Sequence, residues 1–210
     1  PTVDSSTANT AIFYSISNAQ QGLAGISFGN FLIKRVVANL KRKLPNLNQF
    51  ATLSPVPGFR RWLEKQMEDD DGNLLLESEQ QLITDLAVKL SVEPTLAAIL
   101  NEEGWPQASA LSDVLYPPLM RLCSVYLTTR SEAKGGRMLD PVAHFHLSNG
   151  ATLQQINWLG DSSKNGMKNA YGIMVNYLYN LDTIDENSEN YSNGEPPSIS
   201  NSVKKLVNQE

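Results

Sequence analysis

The sequence predicts an α/β (α+β) protein: a mixed sheet with flanking helices and a helical insertion, lacking its upstream strands. Three observations carry this expectation. Ala11–Phe59 runs as a strand, a glycine-punctuated loop, a basic amphipathic helix and a second strand. Gly58–Glu132 then reads as helical. Asp140–Leu181 follows as a capped helix and two strand-like runs.

Ala11–Ser17 (AIFYSIS) is rich in aromatic and β-branched residues and reads as a buried strand. In the loop after it, Gly22, Gly25 and Gly29 let the backbone approach a ligand closely. The following helix aims unpaired N–H groups and its positive end at the same place, which makes an anion site. Phe31–Leu44 has a helical period, with Leu32, Val36 and Leu40 on one stripe and Ile33, Val37 and Leu44 beside it. Lys41, Arg42 and Lys43 complement its C-terminus before Pro45 stops it. Phe50–Ser54 is a short apolar strand that Pro55 and Pro57 prevent from continuing.

Within the insertion, Phe59–Met67 forms a short helix ended by the acidic turn Glu68–Gly72, and Leu82, Leu86 and Leu90 stripe the next. Thr95–Leu100 makes a third helix, and Leu111–Thr128 a fourth that is bent or begun at Pro117–Pro118. The insertion is expected to pack as a helical layer rather than as an independent domain. Asp140 caps the next helix, Pro141 fits its first turn, and Asn149–Gly150 supplies the left-handed stop. Ala151–Leu159 and Ile173–Leu181 read as strands. Residues 1–10 form a polar leading segment, 11–181 the folded region with its insertion at about 58–132, and 182–210 a polar, mobile tail.

A chain of 210 residues with 41% hydrophobic content suits one medium domain with an insertion. A net charge of −5 argues against non-specific binding to nucleic acid. The one cysteine, Cys123, excludes an internal disulfide and sits in the apolar run LMRLCSVYL as a buried thiol. No apolar run approaches the roughly 18 residues of a membrane span. The chain begins without methionine and reaches a core-type strand after ten residues, so it reads as a fragment whose sheet has an exposed edge.

QQGLAGISFGNFLIKRVV followed by LSPVPGF resembles the start of the catalytic half of malonyl-CoA decarboxylase, and DPVAHFHLSNGATLQQINWLGD (Asp140–Asp161) resembles the matching second half. The likeness covers most of Ala11–Leu181 and thins across Glu68–Ser112. It implies a GNAT-like fold, the acyltransferase architecture in which the loop after a central strand cradles the pyrophosphate of coenzyme A. It also implies decarboxylation of malonyl-CoA to acetyl-CoA and CO2 without a further cofactor. The partner is malonyl-CoA, not nucleic acid or membrane, and a homo-oligomer assembled partly through regions outside this chain is expected. Because Val207–Glu210 is not a Ser-Lys-Leu signal, the cytoplasm is the default compartment.

Losing CO2 from a malonyl thioester leaves an electron pair that the thioester itself delocalises as an enolate. The protein must orient the carboxylate, stabilise the oxyanion and deliver a proton to carbon. Ser54 ends a strand at a Pro-rich break and is either a hydroxyl aimed into a cleft or a residue that opens the turn. The resemblance places the catalytic serine there. His144 and His146 are the two histidines, and on a helix residues two apart point to nearly opposite sides. A His-x-His metal site lacks a carboxylate or cysteine motif to complete it, and a purely structural histidine is the other alternative. The resemblance selects His146 and leaves His144 at the surface or beside the site.

By the same resemblance, Ala24, Gly25, Ile26, Ser27, Phe28, Gly29 and Asn30 form the coenzyme A contact loop. Lys34, Arg35 and Lys41–Lys43 either reach its phosphates or form a solvated face. Tyr171, Tyr177 and Tyr179 are pocket walls or core. An acyl-CoA acyltransferase is the enzyme alternative, and an inactive coenzyme A-binding or assembly module is the non-enzymatic one. A serine hydrolase is disfavoured, since Ser54 lies in no Gly-x-Ser-x-Gly elbow.

Overall fold

A four-stranded sheet in the order β1-β2-β6-β5 organises the first of two compact units, which comprises Pro1–Ser54, Arg130–Gln155 and Val175–Ser202. The computed structural model describes residues 7–14, 29–69 and 74–208. β1 (Thr10–Tyr14) pairs in parallel with β2 (Gln49–Pro55), with Ile12 opposite Ala51. Parallel neighbours need a crossover, and α1 (Gly29–Lys43) provides it. Ile33 and Val37 are buried on α1 while Val36 and Leu44 are exposed, so one 3.6-residue stripe packs rather than the two adjoining stripes that the sequence suggested.

β1 differs from the expected buried strand. Among the described residues it pairs only with β2, and Ile12 and Tyr14 are 40% and 66% exposed. Ser15–Ser17 lie outside the described residues. β2, by contrast, is interior: Phe50, Thr52 and Ser54 are buried on one face and Ala51 on the other. β6 (Met174–Leu178) lies beside it and β5 (Thr152–Asn157) beyond. Tyr179 N–H donates to Phe50 O at 2.8 Å, and Asn176 Nδ2 donates to Thr52 O at 2.7 Å.

The short pair β3 (Arg130–Ser131) and β4 (Arg137–Met138) leads into α6 (Pro141–Ser148). Asp140 caps α6 by accepting from Ala143 N–H at 2.8 Å, and Pro141 occupies its first turn. Gly150 follows with φ +79°, where a Cβ would sit 1.9 Å from Ile184 O. That oxygen belongs to α8 (Ile184–Ser192), which is held to the end of α6 by Ser188 Oγ donating to Ser148 O and Asn187 Nδ2 donating to Gly150 O. Residues 182–210 are expected as a polar, mobile tail, and those of them that the structure describes, 182–208, include α8. The apolar residues Ile184, Tyr191 and Val203 are all buried there, and Leu153 bridges Ile199.

The second unit comprises Pro55–Thr129, Ile156–Met174 and Val203–Glu210. It holds α2 (Phe59–Glu68), α3 (Glu77–Leu90), α4 (Leu96–Leu100), α5 (Ser109–Thr128) and α7 (Lys164–Ala170), with most of α9 (Asn201–Val207). The insertion therefore clusters with α7 as a compact unit. Helix α5 runs through Pro117 and Pro118 without a break in its assignment. On α3 the buried residues are Glu79, Ile83, Leu86 and Ala87, while Leu82 is exposed. A buried ion pair accompanies this orientation: Arg121 Nε and Nη2 donate to Glu79 at 2.8 and 2.6 Å, and Nη2 also reaches Leu74 O. Phe59, Trp62, Tyr126 and Tyr171 stack into an aromatic cluster beside them. Cys123 is fully buried, as its apolar run implied.

Candidate active site

Strand parity builds the site. Thr52 and Ser54 project from the same face of β2, and Val175, Tyr177 and Tyr179 occupy the buried positions along β6 and just beyond it. α6 lowers one imidazole onto that face. His146 Nε2 lies 3.3 Å from Ser54 Oγ, although 92 positions separate the residues in sequence. Its Nδ1 lies 2.7 Å from the Tyr179 hydroxyl. Its ring stacks on Tyr177 at 4.4 Å and 23°. Ser54 and His146 are only 6% and 3% exposed, so their polar atoms work in a nearly dry environment.

Burial sets the protonation states. Desolvation disfavours the imidazolium and pulls the His146 pKa down to about 4, so the ring is neutral at pH 7. Burial pushes the Tyr179 phenol up, so its hydrogen stays on oxygen. Ser54 donates its one hydrogen to Thr52 Oγ1 at 3.0 Å, so the 3.3 Å contact with His146 is a hydrogen bond in the tautomer that carries the imidazole hydrogen on Nε2. In that tautomer Nδ1 accepts from the Tyr179 O–H, and the chain runs Tyr179 O–H to Nδ1, Nε2–H to Ser54 Oγ and Ser54 O–H to Thr52.

His144 takes no part in this chain. Its Nδ1 meets the Tyr191 hydroxyl at 2.7 Å, and Arg130 lies over the same tyrosine ring at 4.3 Å. Burial, followed by the charges of Arg137 and Arg130, lowers its pKa. The 200° turn between helix positions two apart accounts for the divergence. Lys34 pairs with Asp185. Tyr171 belongs to the second unit, where it caps α7 at φ 51° beneath Arg60. Of the expected ligand loop, Ala24–Phe28 lies outside the described residues, as do Gly22 and Gly25; Gly29 and Asn30 open α1.

Residues 1–210 match the family model described as the malonyl-CoA decarboxylase C-terminal domain. This chain belongs to the malonyl-CoA decarboxylase family. Proteins named mitochondrial malonyl-CoA decarboxylase from the goose Anser anser anser and from Mus musculus are 43% and 42% identical to it, over 99% and 95% of its length. The chain spans 42% and 41% of those two relatives. It is also similar to solved structures of malonyl-CoA decarboxylase. The one from Rhodopseudomonas palustris is 45% identical, with a TM-score of 0.82 over 97% of this chain and 43% of that one. The one from Agrobacterium vitis is 43% identical, with a TM-score of 0.82 over 99% and 47%. The mixed α/β architecture is thus that of malonyl-CoA decarboxylases.

Sequence reasoning singled out Ser54 and His146, which the fold brings together, but passed over Thr52 and left Tyr177 and Tyr179 as walls or core. Their signal was parity. Thr52 stands two before Ser54 on one strand, and Tyr177 and Tyr179 stand two apart near the other.

Proposed function

We propose that this chain forms the catalytic part of a malonyl-CoA decarboxylase, with Ser54 and His146 as its reacting pair. The observation that carries this reading is the 3.3 Å approach of His146 Nε2 to Ser54 Oγ, with Tyr179 behind the ring. The segment Ala24–Asn30, whose last two residues open α1, is the proposed contact for the coenzyme A pyrophosphate.

In the reaction, the bond between the α-carbon and the carboxylate breaks and CO2 leaves. The electron pair enters the thioester as an enolate, so the thioester is its own electron sink and the reading invokes no metal or organic cofactor. The Ser54 hydroxyl turns from Thr52 to orient the carboxylate or polarise the thioester oxygen. His146 delivers the Nε2 proton to the α-carbon, giving acetyl-CoA, and solvent returns that proton afterwards. A neutral imidazole suffices as the acid, because an enolate carbon is far more basic than an imidazolate. As negative charge develops on the ring, Tyr179 O–H stabilises it through Nδ1.

The test is incubation of the intact polypeptide and of the 210-residue chain with malonyl-CoA, with acetyl-CoA and CO2 detected by mass spectrometry. Ser54→Ala and His146→Asn in the intact polypeptide should each lower turnover about a hundredfold with coenzyme A affinity nearly unchanged. His144→Asn should do far less. Transfer of an acyl group to an amine, with the malonyl carboxylate retained, would replace this reading with the acyltransferase one. The proposed compartment is the cytoplasm; the goose and mouse relatives are named mitochondrial, so imaging of the tagged intact polypeptide distinguishes the two.

A further inference from the structure

The direction of the Ser54 hydroxyl is what sets this site apart from a serine activated by a histidine base. There, the serine hydrogen points at the imidazole. Here the Ser54 Oγ–Thr52 Oγ1 distance is 3.0 Å and Ser54 donates along it, while the Ser54–His146 distance is the longer 3.3 Å. Ser54 has one hydrogen to give, and before substrate binds it goes to Thr52. Its remaining capacity is as an acceptor, which matches an Nε2–H, with Tyr179 O–H donating to Nδ1 on the far side of the ring.

Thr52 is built to receive that hydrogen. It is 1% exposed, so no solvent competes for its lone pairs. Its own position is braced from both sides: Tyr177 N–H approaches Oγ1 at 3.4 Å, and Asn176 Nδ2 donates to Thr52 O at 2.7 Å. Thr52 also sits two residues before Ser54 on a sheet strand, the spacing that puts both side chains on one face.

Accepting the decarboxylase reading above, we infer that Thr52 is a positioning residue for the reaction, an acceptor that holds the Ser54 hydroxyl away from His146 and so keeps the imidazole hydrogen on Nε2. Without the Thr52 oxygen, the Ser54 hydrogen turns to His146 Nε2, 3.3 Å away. Donation there requires an unprotonated Nε2, so the ring hydrogen moves to Nδ1 and Tyr179 turns from donor to acceptor. The imidazole then has no proton on the nitrogen facing the substrate. Binding of the coenzyme A portion is untouched, because Thr52 acts only through Ser54.

The experiment compares Thr52→Val, Thr52→Ala and Thr52→Ser in the intact polypeptide. Steady-state decarboxylation of malonyl-CoA is measured together with the imidazole nitrogen signals of protein labelled with 15N-histidine, which His146→Gln assigns. Valine and alanine should each lower kcat/KM at least tenfold with coenzyme A affinity within twofold, and each should move the His146 hydrogen of the free protein from Nε2 to Nδ1. Serine should restore both readouts. Reading alanine beside valine separates loss of the hydroxyl from a change in packing. An unchanged tautomer in both hydroxyl-free variants overturns the inference, even if kcat/KM falls. If the unaltered protein does not decarboxylate malonyl-CoA, the functional reading fails by itself, and the nitrogen signals still decide the role of Thr52.

Discussion

Replacing Tyr179 with phenylalanine removes one oxygen and leaves the ring packing in place. That oxygen is the 2.7 Å partner of His146 Nδ1. Because His146 is 3% exposed, water does not readily replace the lost donor, and Nδ1 becomes a buried acceptor without its partner. Such a loss costs about 1–3 kcal/mol, and 1.4 kcal/mol is about tenfold in rate. In the proposed proton delivery the Tyr179 bond matters more as charge develops on the ring, so the loss would fall on the transition state. Tyr179→Phe should therefore lower kcat about ten- to a hundredfold, with KM changed little. The imidazole nitrogen signals supply an independent reading. A hydroxyl donating to Nδ1 favours the neutral ring, so its removal should raise the His146 pKa from about 4. Burial still holds that pKa below the ordinary 6.5, so the titration should move upward while staying below that value. The assays are acetyl-CoA formation at pH 7 and a 15N-histidine titration, both in the intact polypeptide. A kcat within twofold of the unaltered protein, with the His146 titration unmoved, would refute the role given to the Tyr179 hydroxyl.

Other outcomes follow from burial and close contacts. His146 titrates near 6.5 when unfolded and about 4 when folded, so its burial costs no protonation energy above pH 6.5 and costs progressively more as pH falls toward 4. His146→Gln should flatten the acid loss of stability in that window by about 3 kcal/mol, measured by urea unfolding at pH 7 and pH 4. Glu79→Ala leaves Arg121 buried without its carboxylate and should cost about 3–5 kcal/mol, whereas Glu79→Leu combined with Arg121→Met should recover most of it in the same measurement. Gly150→Ala drives a Cβ to 1.9 Å from Ile184 O at φ +79°, so thermal unfolding should show a Tm drop of more than about 5 °C.

Much of this molecule was legible in one dimension because its signals are local. Asp140, Pro141 and Gly150 bound α6 through interactions that span a few residues, and the burial of Cys123 follows from its apolar neighbours. Ser54 and His146 were named from motifs, and the two-residue offset between His144 and His146 already separated their roles on a helix. Which apolar face of α3 would pack was not legible. Glu79 reads as a solvent-facing charge until Arg121, 42 positions away, brings it into the interior. Ile184, Tyr191 and Ile199 likewise gained meaning only within the first unit, where α8 packs on α6 and Ile199 bridges Leu153 of β5.

From its order of residues alone, the chain determined α1, α2 and α6 and named Ser54 and His146 as a candidate pair. Tertiary structure decided that the two side chains meet and which partners surround them. A tautomer depends on which partners lie at hydrogen-bond distance from each ring nitrogen. Thr52 meets Ser54 within one strand, but Tyr177, Tyr179 and Ser54 reach His146 only after β6 pairs beside β2 and α6 closes over that face. Burial is equally non-local: the neutrality of His146 comes from excluded water, which no short stretch of sequence encodes.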